Sequence, residues 1–154
     1  MLLGIDPGIN KCGWALVNFN GTLYASGIIP SDMPVDWFLA LSLVGELRVR
    51  LLQPWTKEPP DSFSDENVAC IILGTGTGSK RIKEQLKNYY SESEIILTEE
   101  KFTTLKARDL YWQLHPPRGF WRLLPISILG IPRDIDDLAA WAIALRKIET
   151  EKGE

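Results

Sequence analysis

The chain has 154 residues, 45% of them hydrophobic and 24% charged, with a formal net charge of −3. That length suits one domain with a single substantial core, and no low-complexity tract or internal repeat interrupts it. No apolar run is long enough to span a bilayer and no apolar signal core follows a basic start, so no membrane association and a cytoplasmic location are expected.

Residues 2–6 form a short apolar run that ends in Asp6-Pro7-Gly8, a turn signal. Residues 12–18 and 22–29 flank Phe19-Asn20-Gly21, and an Asn-Gly step between two such runs marks a hairpin. Three strands in antiparallel succession therefore open the chain. From Pro34 to about Leu52, apolar residues recur at helical spacing, and Pro54 with the polar stretch to residue 66 forms a surface loop. Val68 to Leu73 is a continuous apolar run, as in a strand buried on both faces. Ser79 to Tyr90 reads as a helix capped by Ser79, and Glu94 to Leu97 as a short strand. Thr103 to Leu114 reads as a helix with Thr103 or Thr104 near its cap, stopped by Pro116-Pro117. After a proline-rich connection over 115–132, an alanine-rich helix runs from Asp134 to about Glu149. The fold expected is α/β, a mixed five-stranded sheet with its first three strands antiparallel and helices on both faces. Cys12 and Cys70 each lie in an apolar run and are expected to be buried thiols, not a disulfide or metal pair.

Three acidic elements stand out. Asp6 ends the first strand, where a rigid backbone suits a metal ligand; alone, Asp-Pro-Gly is only a turn. Gly8 and Gly13 beside it would let a phosphate backbone approach. Glu99 and Glu100 follow a strand, at the edge where open α/β sheets carry their sites, and alternation allows only one of the two to point inward. Asp134 and Asp137 are three apart, hence on one helical face. An acidic first turn also caps backbone amides. Nuclease chemistry needs several carboxylates converging on two hard ions, Mg²⁺ or Mn²⁺, one activating water and one steadying the leaving oxygen.

The segment Gly4 to Leu16 (Gly-Ile-Asp-Pro-Gly-Ile-Asn-Lys-Cys-Gly-Trp-Ala-Leu) resembles the opening motif of the RuvC and YqgF group of Holliday-junction resolvase-like nucleases. Asp134-x-x-Asp137 before an alanine-rich helix looks like the paired aspartates that close the RuvC site. Glu99-Glu100-Lys101-Phe102-Thr103-Thr104 is similar to the Asp-Glu-Arg-hydrophobic-Thr-Thr signature of the YqgF branch. The resemblance implies a single ribonuclease-H-like nuclease domain over 1–154. It makes Glu100, not Glu99, the catalytic glutamate, so that Asp6, Glu100 and Asp137 bind two metals with Asp134 assisting. The single aspartate of the YqgF closing motif matches Asp136 about as well, which makes Asp136 a competitor for the third ligand role. It also implies a four-way DNA junction or a structured, precursor ribosomal RNA as substrate, and a twofold homodimer matching a symmetric junction. The chain departs from the pattern after its fourth strand: RuvC carries its second acid there and YqgF proteins have Gly-hydrophobic-Pro, whereas this chain has Gly74-Thr75-Gly76-Thr77-Gly78-Ser79-Lys80.

An acidic total argues against a uniformly basic nucleic-acid surface, yet residues 80–133 hold 10 Lys or Arg against 6 Asp or Glu. Thr75, Thr77 and Ser79 in the Gly-Thr loop could offer hydroxyls and amides to a phosphate, with Lys11, Lys80 and Arg81 adding charge. The loop is not a Walker A motif, since its glycine spacing is wrong. In His115–Arg122, Arg118 and Arg122 could grip phosphates while Phe120 or Trp121 stacks on an unpaired base. The other reading folds these aromatics onto the core with Leu123 and Leu124, and leaves His115 structural or solvent-exposed. Two further function classes compete with a nuclease. One is a non-catalytic nucleic-acid-binding module on the same fold. The other is a relative of actin-like ATPases, which need a duplicated domain that this chain lacks.

Overall fold

The computed structural model describes residues 1–101 and 103–153. Strands β1 (Leu2–Asp6), β2 (Lys11–Val17) and β3 (Leu23–Pro30) form the antiparallel trio, with β1 paired to β2 and β2 to β3. Helices α1 (Val35–Ser42) and α2 (Gly45–Leu52) follow, then β4 (Thr56–Glu58), β5 (Cys70–Gly74), α3 (Ser79–Leu86), β6 (Ile95–Thr98), α4 (Thr103–Leu114) and α5 (Asp136–Lys152). The sheet has six strands in the order β4-β3-β2-β1-β5-β6. β5 lies parallel to β1 and β6 parallel to β5, so β1, β5 and β6 all end at one edge. The arrangement is ribonuclease-H-like.

Side chains alternate across each strand. Leu3, Ile5, Trp14 and Leu16 face one core with Trp37, Leu41, Ile82 and Leu86 from α1 and α3. Leu2, Ala15 and Val17 face the other with α4 and α5, through residues such as Tyr111, Leu138, Ala140 and Ala144. Asp6 shares the second face by the same alternation. On that face a Cβ at Gly4 would collide with the Ala140 carbonyl, and one at Gly13 with the Asp136 carbonyl. These two glycines let the backbone of α5 lie directly on β1 and β2. The alanines of α5 complete the close approach from the helix side.

Four expectations need correction. The sheet has six strands, not five, because Thr56–Glu58, read as loop, pairs with β3. The helix expected over 34–52 breaks at Leu43 and Val44, both extended, and restarts at Gly45, whose φ is +63°. The buried Arg48 captures carbonyls beside the break: its Nε donates to Leu43 O at 2.6 Å and its Nη1 to Glu66 O at 2.7 Å. Ser79 does not cap α3; it is the first helical residue, after Gly78 at φ +88°. Finally, α5 starts at Asp136, which leaves Asp134 outside the helix. Cys12 is buried and Cys70 half-buried, and both are free thiols. Among the described residues no helix is long and apolar enough to cross a membrane.

Candidate active site

Asp6 sits at the end of β1, opposite Gly13 in the β1–β2 register. The missing side chain of Gly13 admits the first turn of α5, which brings Asp136 beside Asp6. Glu100 approaches from beyond β6. Its Oε1 accepts the Gly76 N–H at 2.8 Å, and a Cβ at either Gly74 or Gly76 would overlap its carboxylate. The glycines of the Gly-Thr loop thus make room for an acid. Glu99 points elsewhere, with Oε2 3.3 Å from Nη2 of Arg146.

The electrostatics reflect that convergence. The Asp6 carboxyl is pushed up to about 7, first by burial and then by the negative charges of Glu100 and Asp136. Like charges crowded into a partly dry site resist ionisation. Lys11 offsets part of this charge: its Nζ bonds Asp134 and lies 3.1 Å from Oδ2 of Asp136. The Asp134 carboxyl is accordingly held below its usual value, through the Lys11 hydrogen bond above all.

Asp137, expected as the closing ligand, faces the other way. It is fully buried, and its carboxylate accepts three hydrogen bonds. Arg133 Nη1 donates to Oδ1 at 2.8 Å and Nη2 to Oδ2 at 3.2 Å, while Ser26 Oγ donates to Oδ2 at 2.7 Å. Successive helix residues are rotated by about 100°, so burying Asp137 turns Asp136 towards Asp6. Asp134, expected to share a helical face with Asp137, lies before the helix and is exposed. Among the described residues no three carboxylates, imidazoles or thiols are grouped so that they could hold a metal ion; Oε1 of Glu100 accepts the Gly76 amide and Oδ2 of Asp136 lies beside Lys11.

Several expected phosphate contacts are also reassigned. Gly13 is occupied by the α5 backbone, and at Gly8 a Cβ would strike the Lys11 carbonyl, so neither is an opening for phosphate. Lys11 is engaged with Asp134 and Asp136, and Arg81 Nη2 donates to Ser31 Oγ and to Ile9 O. Thr75, Thr77 and Lys80 are exposed, and Ser79 half-buried. The 3₁₀ turn at Gly119–Leu123 leaves Phe120 at 69% and Trp121 at 59% exposure, with Leu123 also in solvent, so these aromatics do not fold onto the core. Arg118 and Arg122 flank them and are exposed. His115 is half-exposed, with Nε2 2.7 Å from Oε1 of Glu58. Arg133, Glu58 and Ser26 had no place in the sequence reading; the one local sign was the Arg133/Asp137 spacing of four, typical of helical ion pairs.

A ribonuclease-H-like sheet with acids meeting at the end of its first strand defines the class. Within it, the chain is similar to two curated RuvC proteins. A crossover junction endodeoxyribonuclease RuvC of Methylorubrum populi is 41% identical over 68 residues, which are 42% of this chain and 34% of the relative. The RuvC of Cereibacter sphaeroides is 36% identical over 83 residues, 50% of this chain and 49% of the relative. The chain thus spans about a third to a half of the length of these relatives. No family model matches it.

Proposed function

We propose that this protein is a divalent-metal-dependent endonuclease acting on branched DNA, with Asp6, Glu100 and Asp136 as its ligand set. The observation that carries the reading is that Asp6, at the end of β1, is pushed up to about 7 by burial and by the charges of Glu100 and Asp136. Among the described residues the acids are not already grouped to hold a metal ion, so an ion would draw them together. An all-oxygen set of this kind fits a hard cation such as Mg²⁺ or Mn²⁺, and the excess negative charge gives such an ion something to neutralise. One or two ions held there would polarise the scissile phosphate and favour attack by water. For the chain itself, Glu100 can offer Oε2 while its Oε1 accepts the Gly76 amide, and Asp136 can offer Oδ1 while its Oδ2 meets Lys11.

Branched DNA is preferred to precursor ribosomal RNA because both relatives are crossover junction endodeoxyribonucleases by name. The exposed Arg118-Gly119-Phe120-Trp121-Arg122 turn suits a junction, offering arginines to phosphates and a flat ring to an unpaired base. Thr75, Thr77, Ser79 and Lys80 lie in and just after the loop whose Gly76 amide holds Glu100, and form a second contact. A twofold homodimer would present two such sites to a symmetric junction.

A second reading, a non-catalytic junction-binding module, is favoured by one observation: among the described residues no three acids are grouped so that they could hold a metal ion. Mn²⁺ calorimetry alongside binding of a four-way DNA junction separates the two. The nuclease reading expects Mn²⁺ binding that Asp6→Asn abolishes. Junction binding without any uptake of millimolar Mn²⁺ would establish the module instead.

A further inference from the structure

Helix α5 begins without a side-chain cap: its N-cap is Ile135, with φ −122° and ψ 25°. Something else must set the rotation of its first turn, on which the direction of Asp136 depends. The residues that hold this turn reach across four elements. Arg133 makes its paired bond to Asp137, and its Nη2 also donates to Oε1 of Glu58 at 2.6 Å. Its guanidinium carbon lies 5.7 Å from the centre of the Tyr111 ring on α4. Ser26 on β3 donates to Asp137, and Ser26 and Glu58 are register partners across β3–β4. The three-residue edge strand β4 therefore sets both anchor points side by side.

We propose that Arg133, braced by Glu58, is a positioning residue: its bonds to Asp137 fix the rotation of the first turn of α5 and so keep Asp136 facing Asp6. Asp137 is then the buried anchor of the turn, not a ligand. This inference rests on the reading of Asp6, Glu100 and Asp136 as the metal site. A buried ion pair is a poor source of net stability, because desolvation offsets most of its attraction. Its value here is directional. A paired guanidinium–carboxylate bond fixes both distance and plane, and residues that orient a ligand commonly change metal affinity or activity by about 10- to 100-fold when lost.

The test uses the full chain with Mn²⁺ as probe. Removing one partner of the pair strands a buried charge, so Arg133→Met and Asp137→Asn are made together as well as singly. The double variant should keep its circular dichroism and bind Mn²⁺ at least about 10-fold more weakly than wild type. In metal-free protein, the amides of Leu138 and Ala139, which donate to Ile135 O at 3.0 Å, should exchange faster. Arg133→Lys, keeping the charge but not the paired geometry, should recover part of the Mn²⁺ affinity. A double variant with wild-type Mn²⁺ affinity and exchange overturns the positioning role. So does Arg133→Met binding Mn²⁺ more tightly while Asp137→Asn loses it as fully as Asp136→Asn, which would make Asp137 a ligand. Wild-type protein that takes up no Mn²⁺ overturns the metal-site reading itself, so the two failures are distinct.

Discussion

The carboxylate of Asp6 is largely enclosed and faces two other acids, so its ionisation is opposed from two sources at once. A carboxyl held at about 7 in the folded protein, against an ordinary value of 3.8, remains neutral over a range where the unfolded chain is already charged. Linkage then runs in one direction: the metal-free fold loses stability as pH rises from about 4 through 7. The loss contributed by this group is at most about 4 kcal/mol. Asp6→Asn should remove that slope. In EDTA, its thermal midpoint should exceed that of wild type at about pH 8 and match it at about pH 4. A wild-type midpoint that does not fall between those pH values would separate Asp6 from the crowded acids described above. Added Mg²⁺ should raise the wild-type midpoint at the higher pH through mass action and leave that of Asp6→Asn unchanged.

At the scale of elements, the site depends on how closely α5 lies on the sheet. Gly13→Ala would drive a methyl group into the Asp136 carbonyl; overpacking against backbone should destabilise by about 3 kcal/mol and weaken Mn²⁺ binding together. Denaturant unfolding and calorimetry on the same sample check this, and a fully stable variant with normal Mn²⁺ binding would contradict it. The position of Asp6 was legible in the sequence, because an apolar run, an acid and a Pro-Gly turn are all local signals. So was the strand-to-helix passage around Glu100; Phe102 of that motif lies outside the described residues. The choice among Asp134, Asp136 and Asp137 was not legible, since one residue of helix rotates a side chain by about 100°. The start and rotation of α5 are set by contacts such as Ser26 to Asp137, 111 residues apart. The strand β4 was hidden by its length of three residues and its proline-rich flanks. The break between α1 and α2 was masked by continuous helical periodicity, with Gly45 and the buried Arg48 as its only traces.

For the whole molecule, a formal net charge of −3 requires that the proposed binding of a polyanion run through local surfaces. The turn bearing Arg118, Phe120, Trp121 and Arg122 is the exposed surface best fitted to that task. Replacing both arginines by alanine should lower the salt slope of junction binding by about 2. Trp121→Ala should weaken binding by about 1–3 kcal/mol if the ring stacks on a base, as a fluorescence titration at several salt concentrations would reveal. An unchanged slope and affinity would remove this turn from the nucleic-acid interface. The central claim, that Asp6, Glu100 and Asp136 form a nuclease site, is tested most directly by single-turnover cleavage of a four-way DNA junction in Mg²⁺. Asp6→Asn, Glu100→Gln and Asp136→Asn should each slow cleavage by about 10³-fold or more, while Asp134→Asn stays within about 10-fold of wild type. Cleavage by Asp6→Asn at the wild-type rate would contradict the account.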